Sequence, residues 1–341
     1  MPLDSASSHL SRQRPLIDRF GRIHTSVRLS VTDRCNIRCF YCMPEVDAEF
    51  VARDRLLTFE EIHRLASLLV GQAGVRDLRI TGGEPLVRRE LPLLIEMLSA
   101  IPGLADLSLT TNGMLLAGQA QQLHDAGLQR LNISIDTLDE GVFQKITRRE
   151  GLHKTIEGID AAIDCGFESV KLNALAIRGI TEKEVVRLVE FALSRGVTLR
   201  FIEFMPLDTD RAWKKENVLT GDMLLSIVRE HFGEVNEVPR RDPSQPAEEF
   251  KIESGRLGII RSVTAPFCQA CNRLRITADG SVRNCLFSQD EIPLRDRMRS
   301  GASDEELLAQ IQGCVDDKAA AHGINEDGFL PPERPMYSIG G

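Results

Sequence analysis

The sequence lacks long hydrophobic runs and has no excess of positive charge. No apolar run approaches the roughly 20 residues that a membrane-spanning helix needs. Asp and Glu number 50 against 42 Lys and Arg, which gives a formal net charge of −8 in 341 residues. An acidic chain is not expected to coat nucleic acid without regard to its sequence. This charge still allows a local basic pocket for a phosphorylated small molecule.

The N-terminal segment lacks the apolar centre of a secretory signal, although it contains arginines. We expect a flexible tail over residues 1–24. Without a signal, the chain is expected to be cytoplasmic, where clustered cysteines are more often metal ligands than disulfides. Six of the eight cysteines form two groups of three. Cys165 and Cys314 stand apart, and we expect them to be buried small hydrophobes or inert thiols.

The middle of the chain alternates short apolar strands with amphipathic helices. A capping box at Thr58 and Glu61 starts one helix, and Thr181 with Glu184 starts another. This alternation predicts a parallel sheet with right-handed crossovers. A complete eightfold barrel takes about 250 residues, so we predict an α/β fold with a partial (β/α)6 TIM-type barrel. A doubly wound open sheet is the competing architecture. The predicted strands cover residues 27–31, 75–80, 107–110, 131–135, 170–176 and 199–204.

The alternation ends after residue 204. Short strands, a hairpin turned at Asp279 and Gly280, and a helix with a capping box at Ser303 and Glu306 follow. They predict a smaller α+β segment that closes the open side of the barrel. The expected regions are a tail at 1–24, the barrel at 25–235, the C-terminal segment at 236–328 and a C-terminal tail at 329–341.

Cys35, Cys39 and Cys42 directly follow the first predicted strand. Three thiolates in one loop can hold three irons of a four-iron cluster and leave the fourth iron open. A structural zinc site is the alternative, but it requires four ligands. The nearest further candidates, His24 and Asp33, would be unusual partners for this loop. We therefore predict an iron–sulfur cluster.

Residues suited to ligand binding follow the predicted strands, at the edge where a barrel has its active face. Gly82 and Gly83 permit close approach of the backbone to a ligand. Hydroxyl and carboxylate groups further on suit ribose and carboxylate contacts, with helix capping as the alternative for Asp136 and Thr137. Met205 suits either a ligand contact or the core. The strand ends also carry Thr110, Ser134, Lys171 and Asn173.

A second group of three cysteines lies in the C-terminal segment. Cys268 and Cys271 precede the predicted hairpin, and Cys285 lies on its far arm. A zinc knuckle with a fourth ligand elsewhere is the alternative to a second cluster with an open iron. Arg273 and Arg275 point to one face if this segment is a strand, and paired guanidinium groups bind phosphate oxygens. A solvated strand edge is the alternative for these arginines.

The first cysteine loop resembles the motif of the radical S-adenosylmethionine superfamily. The resemblance implies a [4Fe–4S] cluster whose open iron binds the amino and carboxylate groups of S-adenosylmethionine. An electron from the cluster would then release a 5′-deoxyadenosyl radical. The residues implied to hold S-adenosylmethionine are Tyr41, Gly83, Ser134 and Met205.

A wider set of motifs is similar to the GTP 3′,8-cyclases of molybdenum cofactor biosynthesis. The similarity runs from about residue 25 to the end of the chain and leaves the N-terminal tail unmatched. Its motifs are the first cysteine loop, GGEPLVRRE at 82–90, TTNG at 110–113, FIEFMP at 201–206, the second cysteine group with NRLR at 272–275, and the terminal Gly340 and Gly341.

The resemblance implies a lyase that converts GTP to 3′,8-cyclo-7,8-dihydroguanosine 5′-triphosphate. The radical would remove the hydrogen at C3′ of the ribose, and the carbon radical would attack C8 of a guanine bound at a second [4Fe–4S] cluster. Implied partners are an electron donor, the downstream cyclic pyranopterin monophosphate synthase and, as a homodimer, a second copy of the chain. The implied GTP contacts are Arg28, Arg79, Thr110, Lys171, Arg273, Leu274 and Arg275, and the implied catalytic tail is Gly340 and Gly341.

Two other functions fit part of these motifs. A peptide-modifying radical enzyme shares the chemistry, but such enzymes usually carry more cysteines in the C-terminal extension. The arginines between the cysteines here favour a triphosphate. A non-catalytic electron-transfer or zinc protein would require closed, four-ligand sites. It would not need glycines and hydroxyls at the strand ends.

Overall fold

The computed structural model describes residues 13–208, 213–253 and 255–341. The part of the predicted tail at residues 1–12 lies outside the described residues. The strands are β1 (Ser26–Ser30), β2 (Asp77–Thr81), β3 (Asp106–Thr111), β4 (Arg130–Ser134), β5 (Ser169–Ala176), β6 (Thr198–Glu203), β7 (Val235–Val238), β8 (Glu248–Ile252), β9 (Gly255–Ile260), β10 (Arg273–Ile276), β11 (Ser281–Arg283) and β12 (Ile292–Pro293).

Helices alternate with the first six strands and return near the C-terminus. Short 3-10 helices precede or join several of them, and Thr181–Lys183 forms one directly before α6, where sequence predicts the start of a helix. The α-helices are α1 (Phe59–Ala73), α2 (Leu91–Ser99), α3 (Ala120–Asp125), α4 (Glu140–Thr147), α5 (Leu152–Asp164), α6 (Val185–Ser194), α7 (Gly221–Phe232), α8 (Arg295–Arg299), α9 (Asp304–Asp316) and α10 (Met336–Ile339). No helix in the described part of the chain is long and apolar enough to cross a membrane.

All strands belong to one sheet, in the order β12-β11-β10-β1-β2-β3-β4-β5-β6-β9-β8-β7. Strands β1 to β6 are parallel and neighbour each other in chain order. Within the described residues, the sheet does not close on itself. The predicted partial (β/α)6 barrel is confirmed, and the strand ends differ from the predicted ones by at most two residues.

The C-terminal segment extends the sheet at both edges. Strand β10 pairs in parallel with β1, and β9 pairs in parallel with β6. The hairpin of β10 and β11 turns at Gly280, whose φ of +81° suits glycine. Long-range pairing of this kind brings the second cysteine group beside the strand that leads to the first one.

The apolar faces of the helices form the core with the sheet. Helix α1 starts at the predicted capping box of Thr58 and Glu61 and ends at Gly74, which has a left-handed φ of +72°. Its residues Ile62 and Leu65 are buried in the main hydrophobic core. The capping box at Ser303 is also present, at the start of α9.

Residues 13–24 differ from the flexible tail that sequence predicts over 1–24. Leu16 is 2% exposed and His24 is 0% exposed. Arg22 pairs with Asp18 at 2.5 Å and donates hydrogen bonds to the carbonyl oxygens of Cys268 and Ala319. This segment is therefore bound to the C-terminal segment by contacts that no local sequence pattern reveals.

Candidate active site

A cavity of about 340 Å³ lies at the carboxyl ends of the barrel strands. Its wall includes residues of the barrel, the C-terminal segment and the last residue of the chain. The C-terminal segment thus covers the open side of the barrel. Both predicted cysteine groups line this one cavity: Cys35, Cys39 and Cys42 from the barrel, and Cys268, Cys271 and Cys285 from the C-terminal segment.

The first cysteine group sits in a tight loop after β1. The amide N–H of Cys42 donates to the carbonyl oxygen of Cys39 at 2.9 Å. Asn112, at the end of β3, donates from Nδ2 to Cys35 Sγ at 3.7 Å and to Asn36 Oδ1 at 2.8 Å. The loop is therefore held against the strand end that carries the TTNG motif.

Burial raises the pKa of Cys35 to about 12 and that of Cys39 well above its ordinary value. Neutral thiols are therefore favoured until positive charge, such as that of bound iron, stabilises the thiolates. Among the described residues, no three His, Cys, Asp or Glu side chains converge closely enough to ligate a single metal ion. Three sulfur donors in the wall of one cavity are the number of thiolates that leaves one iron of a four-iron cluster without a protein ligand.

Gly82 and Gly83 lie against the backbone of the first cysteine loop. A Cβ on Gly82 would lie 2.5 Å from Thr32 O, and one on Gly83 would lie 2.5 Å from Arg34 O. The N–H of Gly83 donates to Thr32 O at 2.7 Å. Sequence predicts that these glycines let the backbone approach a ligand, whereas in the structure they let it approach the first cysteine loop. Both glycines also line the cavity.

Glu84 joins the ends of β2 and β3. Its carboxylate accepts hydrogen bonds from the Thr111 hydroxyl at 2.7 Å and from the Asn112 N–H at 2.7 Å. Burial raises the pKa of Glu84 to about 7, although these hydrogen bonds oppose the shift. The Glu84 carboxylate therefore holds the segment of Gly82 and Gly83 at a fixed distance from Asn112.

Tyr41 and Asp136 form a hydrogen-bonded pair in the cavity wall. The Tyr41 hydroxyl donates to Asp136 Oδ2 at 2.6 Å, and Asp136 Oδ1 accepts from the Leu175 N–H at 2.7 Å. Burial raises the pKa of both side chains. Asp136 does not cap α4, whose N-cap is Asp139. The other strand-end residues on the wall are Thr110, Ser134, Asn173 and Met205.

Arginines on three adjacent strands form a row across the cavity wall. Arg28 on β1 is in register with Arg79 on β2 and with Arg275 on β10. Arg273 lies two residues before Arg275 and lines the same cavity, as the alternation of a strand predicts. Burial and then the neighbouring guanidinium groups lower the pKa of Arg28 well below its ordinary value, and burial lowers that of Arg275 to about 10.

Two further cations lie beside this row. Lys171 does not line the cavity, but burial and then the charge of Arg200 lower its pKa. Sequence reasoning missed Arg200, which lies within β6 and is 8% exposed. Its Nε donates to Asn173 Oδ1 at 2.9 Å, and burial lowers its pKa to about 9. An arginine inside a strand that is otherwise buried was the available signal.

The second cysteine group lies close to these arginines. The Arg273 guanidinium is 4.7 Å from the centre of the Phe267 ring. Burial raises the pKa of Cys268. At Cys271 burial also acts to raise the pKa, but the charges of Lys318 and Arg273 and the hydrogen bonds from both residues together lower it. Leu274, a predicted GTP contact, is 1% exposed and packs in the core, so only its backbone could meet a ligand.

The C-terminal residues enter the cavity. Arg275 donates to the carbonyl oxygen of Gly340, and the Thr81 hydroxyl donates to Gly341 O at 2.6 Å. A Cβ on Gly340 would lie 2.9 Å from Ser30 Cβ, and its φ is +95°. Gly341 lines the cavity, whereas Gly340 packs beside it. Sequence alone shows no core pattern here, although Tyr337 is only 4% exposed.

Two family models match the chain. The Radical SAM superfamily model matches residues 29–192, and the Molybdenum Cofactor Synthesis C model matches residues 197–324. The first range runs from β1 to α6, and the second begins just before β6 and extends beyond α9. The chain accordingly takes S-adenosylmethionine and a [4Fe–4S] cluster, as this superfamily does.

Curated relatives match nearly the whole chain. A GTP 3′,8-cyclase of Rhodopirellula baltica is 64% identical over 330 residues, which cover 96% of this chain and 92% of the relative. One of Rhodococcus opacus is 46% identical over 329 residues, covering 96% and 93%.

Solved structures share the fold at low sequence identity. Streptococcus suis SuiB bound to its precursor peptide SuiA matches with a TM-score of 0.62 and 13% identity, over 91% of this chain and 75% of that chain. Native anSMEcpe with bound AdoMet matches with a TM-score of 0.58 and 15% identity, over 90% and 92%. These likenesses support the partial-barrel α/β fold, and the far closer sequence relatives show that the chain belongs to the GTP 3′,8-cyclase family.

Proposed function

We propose that this chain converts GTP to 3′,8-cyclo-7,8-dihydroguanosine 5′-triphosphate, the first step of molybdenum cofactor biosynthesis. The observation that carries the proposal is the single cavity lined by both cysteine groups, with an arginine row in its wall. A peptide-modifying enzyme has no evident need for this buried cluster of cations.

The first cysteine group would hold the cluster that serves S-adenosylmethionine, and the second group would hold a second [4Fe–4S] cluster. When bound, the first would supply the electron that cleaves S-adenosylmethionine to methionine and the 5′-deoxyadenosyl radical, and the second would supply an open iron for the guanine. The protein must then exclude water and fix the ribose between the two groups. Tyr41, Gly83, Ser134 and Met205 are the residues we assign to S-adenosylmethionine.

The arginine row would bind the triphosphate. Arg28, Arg79 and Arg275 are like charges in register on adjacent strands, which is unfavourable in the absence of an anion. Phosphate oxygens would remove this repulsion and accept several charge-assisted hydrogen bonds at once. Arg273 extends the same positive wall. Lys171 lies outside that wall and would act on the phosphates through its charge. Thr110 would contribute a hydroxyl, and Leu274 would contribute its backbone.

The C-terminal tail would complete the site. Gly340 and Gly341 are held beside the arginine row by Arg275 and Thr81. Because Gly340 has a positive φ and a tight approach to Ser30, a larger residue there would displace the tail.

The regions proposed from sequence are the barrel at 25–235, the segment at 236–328 and the tail at 329–341. The electron donor, the downstream synthase, a homodimer and a cytoplasmic location remain predictions.

The test is an anaerobic incubation of the reconstituted, reduced chain with S-adenosylmethionine and GTP. We expect 5′-deoxyadenosine together with an isomer of GTP, because the hydrogen atom lost from C3′ is replaced by an electron and a proton at the guanine. Cys268→Ser should abolish the isomer, whereas Cys165→Ser, outside the cavity, should leave it unchanged. Formation of 5′-deoxyadenosine with no cyclised nucleotide would contradict the proposal, and ATP serves as the control for base selection.

A further inference from the structure

A buried lysine lies behind the second cysteine group. Lys318 follows α9 and is 3% exposed. Its ammonium donates to Arg273 O at 2.8 Å and to Asn284 O at 2.7 Å, and a side-chain hydrogen bond joins it to Cys271. These three acceptors match the three donors of an ammonium group.

None of these three acceptors is a carboxylate. Burying an ammonium costs several kcal/mol when no negative charge compensates it. Two of its partners are neutral carbonyl groups, so the group that can compensate the charge is the sulfur of Cys271. A thiolate that ligates iron carries negative charge, and it is the natural counter-ion in this position.

The lysine also joins the two arms that carry the cysteines. Arg273 follows Cys271 by two residues, and Asn284 directly precedes Cys285. One ammonium therefore fixes the distance between these arms. Arg22 holds the carbonyl oxygen of Cys268 at 2.8 Å, but it already has Asp18 as its counter-ion at 2.5 Å. Lys318 thus places its side-chain hydrogen bond directly on a sulfur ligand, and its charge acts on Cys271 together with that of Arg273.

We propose that Lys318 is a positioning residue for the second cysteine group: it sets the separation of Cys271 and Cys285 and acts as the counter-ion of the cluster that they ligate. This role rests on the proposed function, since it requires the second cluster. A positive charge that is hydrogen-bonded to a ligating sulfur stabilises the reduced, more negative cluster. Lys318 should therefore both retain iron and raise the reduction potential of that cluster.

The test uses the full-length chain with Cys35, Cys39 and Cys42 replaced by alanine, so that only the second group can hold iron. In this background Lys318→Gln removes the charge but keeps donors for the two carbonyl groups, and Lys318→Arg keeps the charge. Lys251→Gln, at an exposed position of β8, is the matched control. The readouts are iron loss to a chelator and the midpoint potential, with circular dichroism to check folding.

We expect Lys318→Gln to lose iron roughly 10- to 100-fold faster than the parent, with a more negative potential, and Lys318→Arg to keep the potential near that of the parent. A Lys318→Gln variant that matches Lys251→Gln in both readouts would overturn the proposal. If Lys318→Gln does not fold, a folded Lys318→Arg variant with a clearly more negative potential would overturn it. A parent without iron would instead contradict the second cluster itself, and this role of Lys318 with it.

Discussion

Replacing Arg28 by methionine should change substrate affinity and protein stability in opposite directions. Arg28 is in register with Arg79 on one side and Arg275 on the other. At a strand spacing of about 4.8 Å and an effective dielectric constant of about 20, each pair of charges would repel by roughly 3 kcal/mol. Side chains that splay apart reduce this repulsion, so we expect Arg28→Met to stabilise the GTP-free protein by about 1 kcal/mol.

The same change should weaken GTP binding. One charge-assisted hydrogen bond contributes about 1.5–3 kcal/mol, which corresponds to a roughly 10- to 150-fold higher Kd. Isothermal titration calorimetry of the reconstituted protein measures the affinity, and thermal unfolding without GTP should show a Tm raised by roughly 2 °C. Arg53→Met, at an exposed position, is the control and should change neither quantity. A variant that loses stability, or that binds GTP as tightly as the parent, would refute the repulsion argument.

Four other results are expected. Iron analysis after anaerobic reconstitution should give about eight irons per chain, and about four after replacement of either cysteine group. Zinc in place of iron would count against the clusters. Glu203→Ala should lower the unfolding free energy by about 3 kcal/mol or more in denaturant titrations, because the buried Glu203 carboxylate accepts four hydrogen bonds from Gly221, Val263 and Thr264. Arg334 anchors the C-terminal tail, because its guanidinium donates to Glu291 Oε1 at 2.8 Å and to Ser338 O at 3.0 Å. Arg334→Ala should therefore speed the release of Gly341 by carboxypeptidase and lower kcat. Equal release rates in the variant and the parent would exclude this anchor. Burial lowers the pKa of His24 to about 4, so stability should fall as the pH drops from about 6.5 to 4, and His24→Gln should flatten that slope in urea titrations.

Local patterns predicted the barrel well. Apolar strands followed by amphipathic helices specify parallel pairing between chain neighbours, and the capping boxes at Thr58 and Ser303 mark real helix starts. The three-cysteine loop and the paired glycines could also be interpreted from the sequence, because the residues of each motif lie within a few positions of one another. The glycines nevertheless have a structural reason that sequence did not indicate, namely the contact with residues 32–34.

Features that depend on long-range contacts could not be predicted from these patterns. The pairing of β1 with β10 joins segments about 250 residues apart and creates the arginine row. Lys318 looks like an ordinary surface cation in sequence, and only its burial marks it. Arg200 could have been noticed from its place in an apolar strand. Residues 13–24 and the C-terminal tail lack a periodic apolar pattern because they pack through single side chains and carbonyl groups.

The most direct test of a shared cavity is hydrogen transfer from the substrate. GTP labelled with deuterium at C3′ should pass one deuterium to 5′-deoxyadenosine in the reduced enzyme, and mass spectrometry would detect it. Transfer should disappear in Cys268→Ser, because the nucleotide would no longer be held within reach of the radical. Unlabelled 5′-deoxyadenosine from the intact enzyme, or undiminished transfer in that variant, would contradict the account.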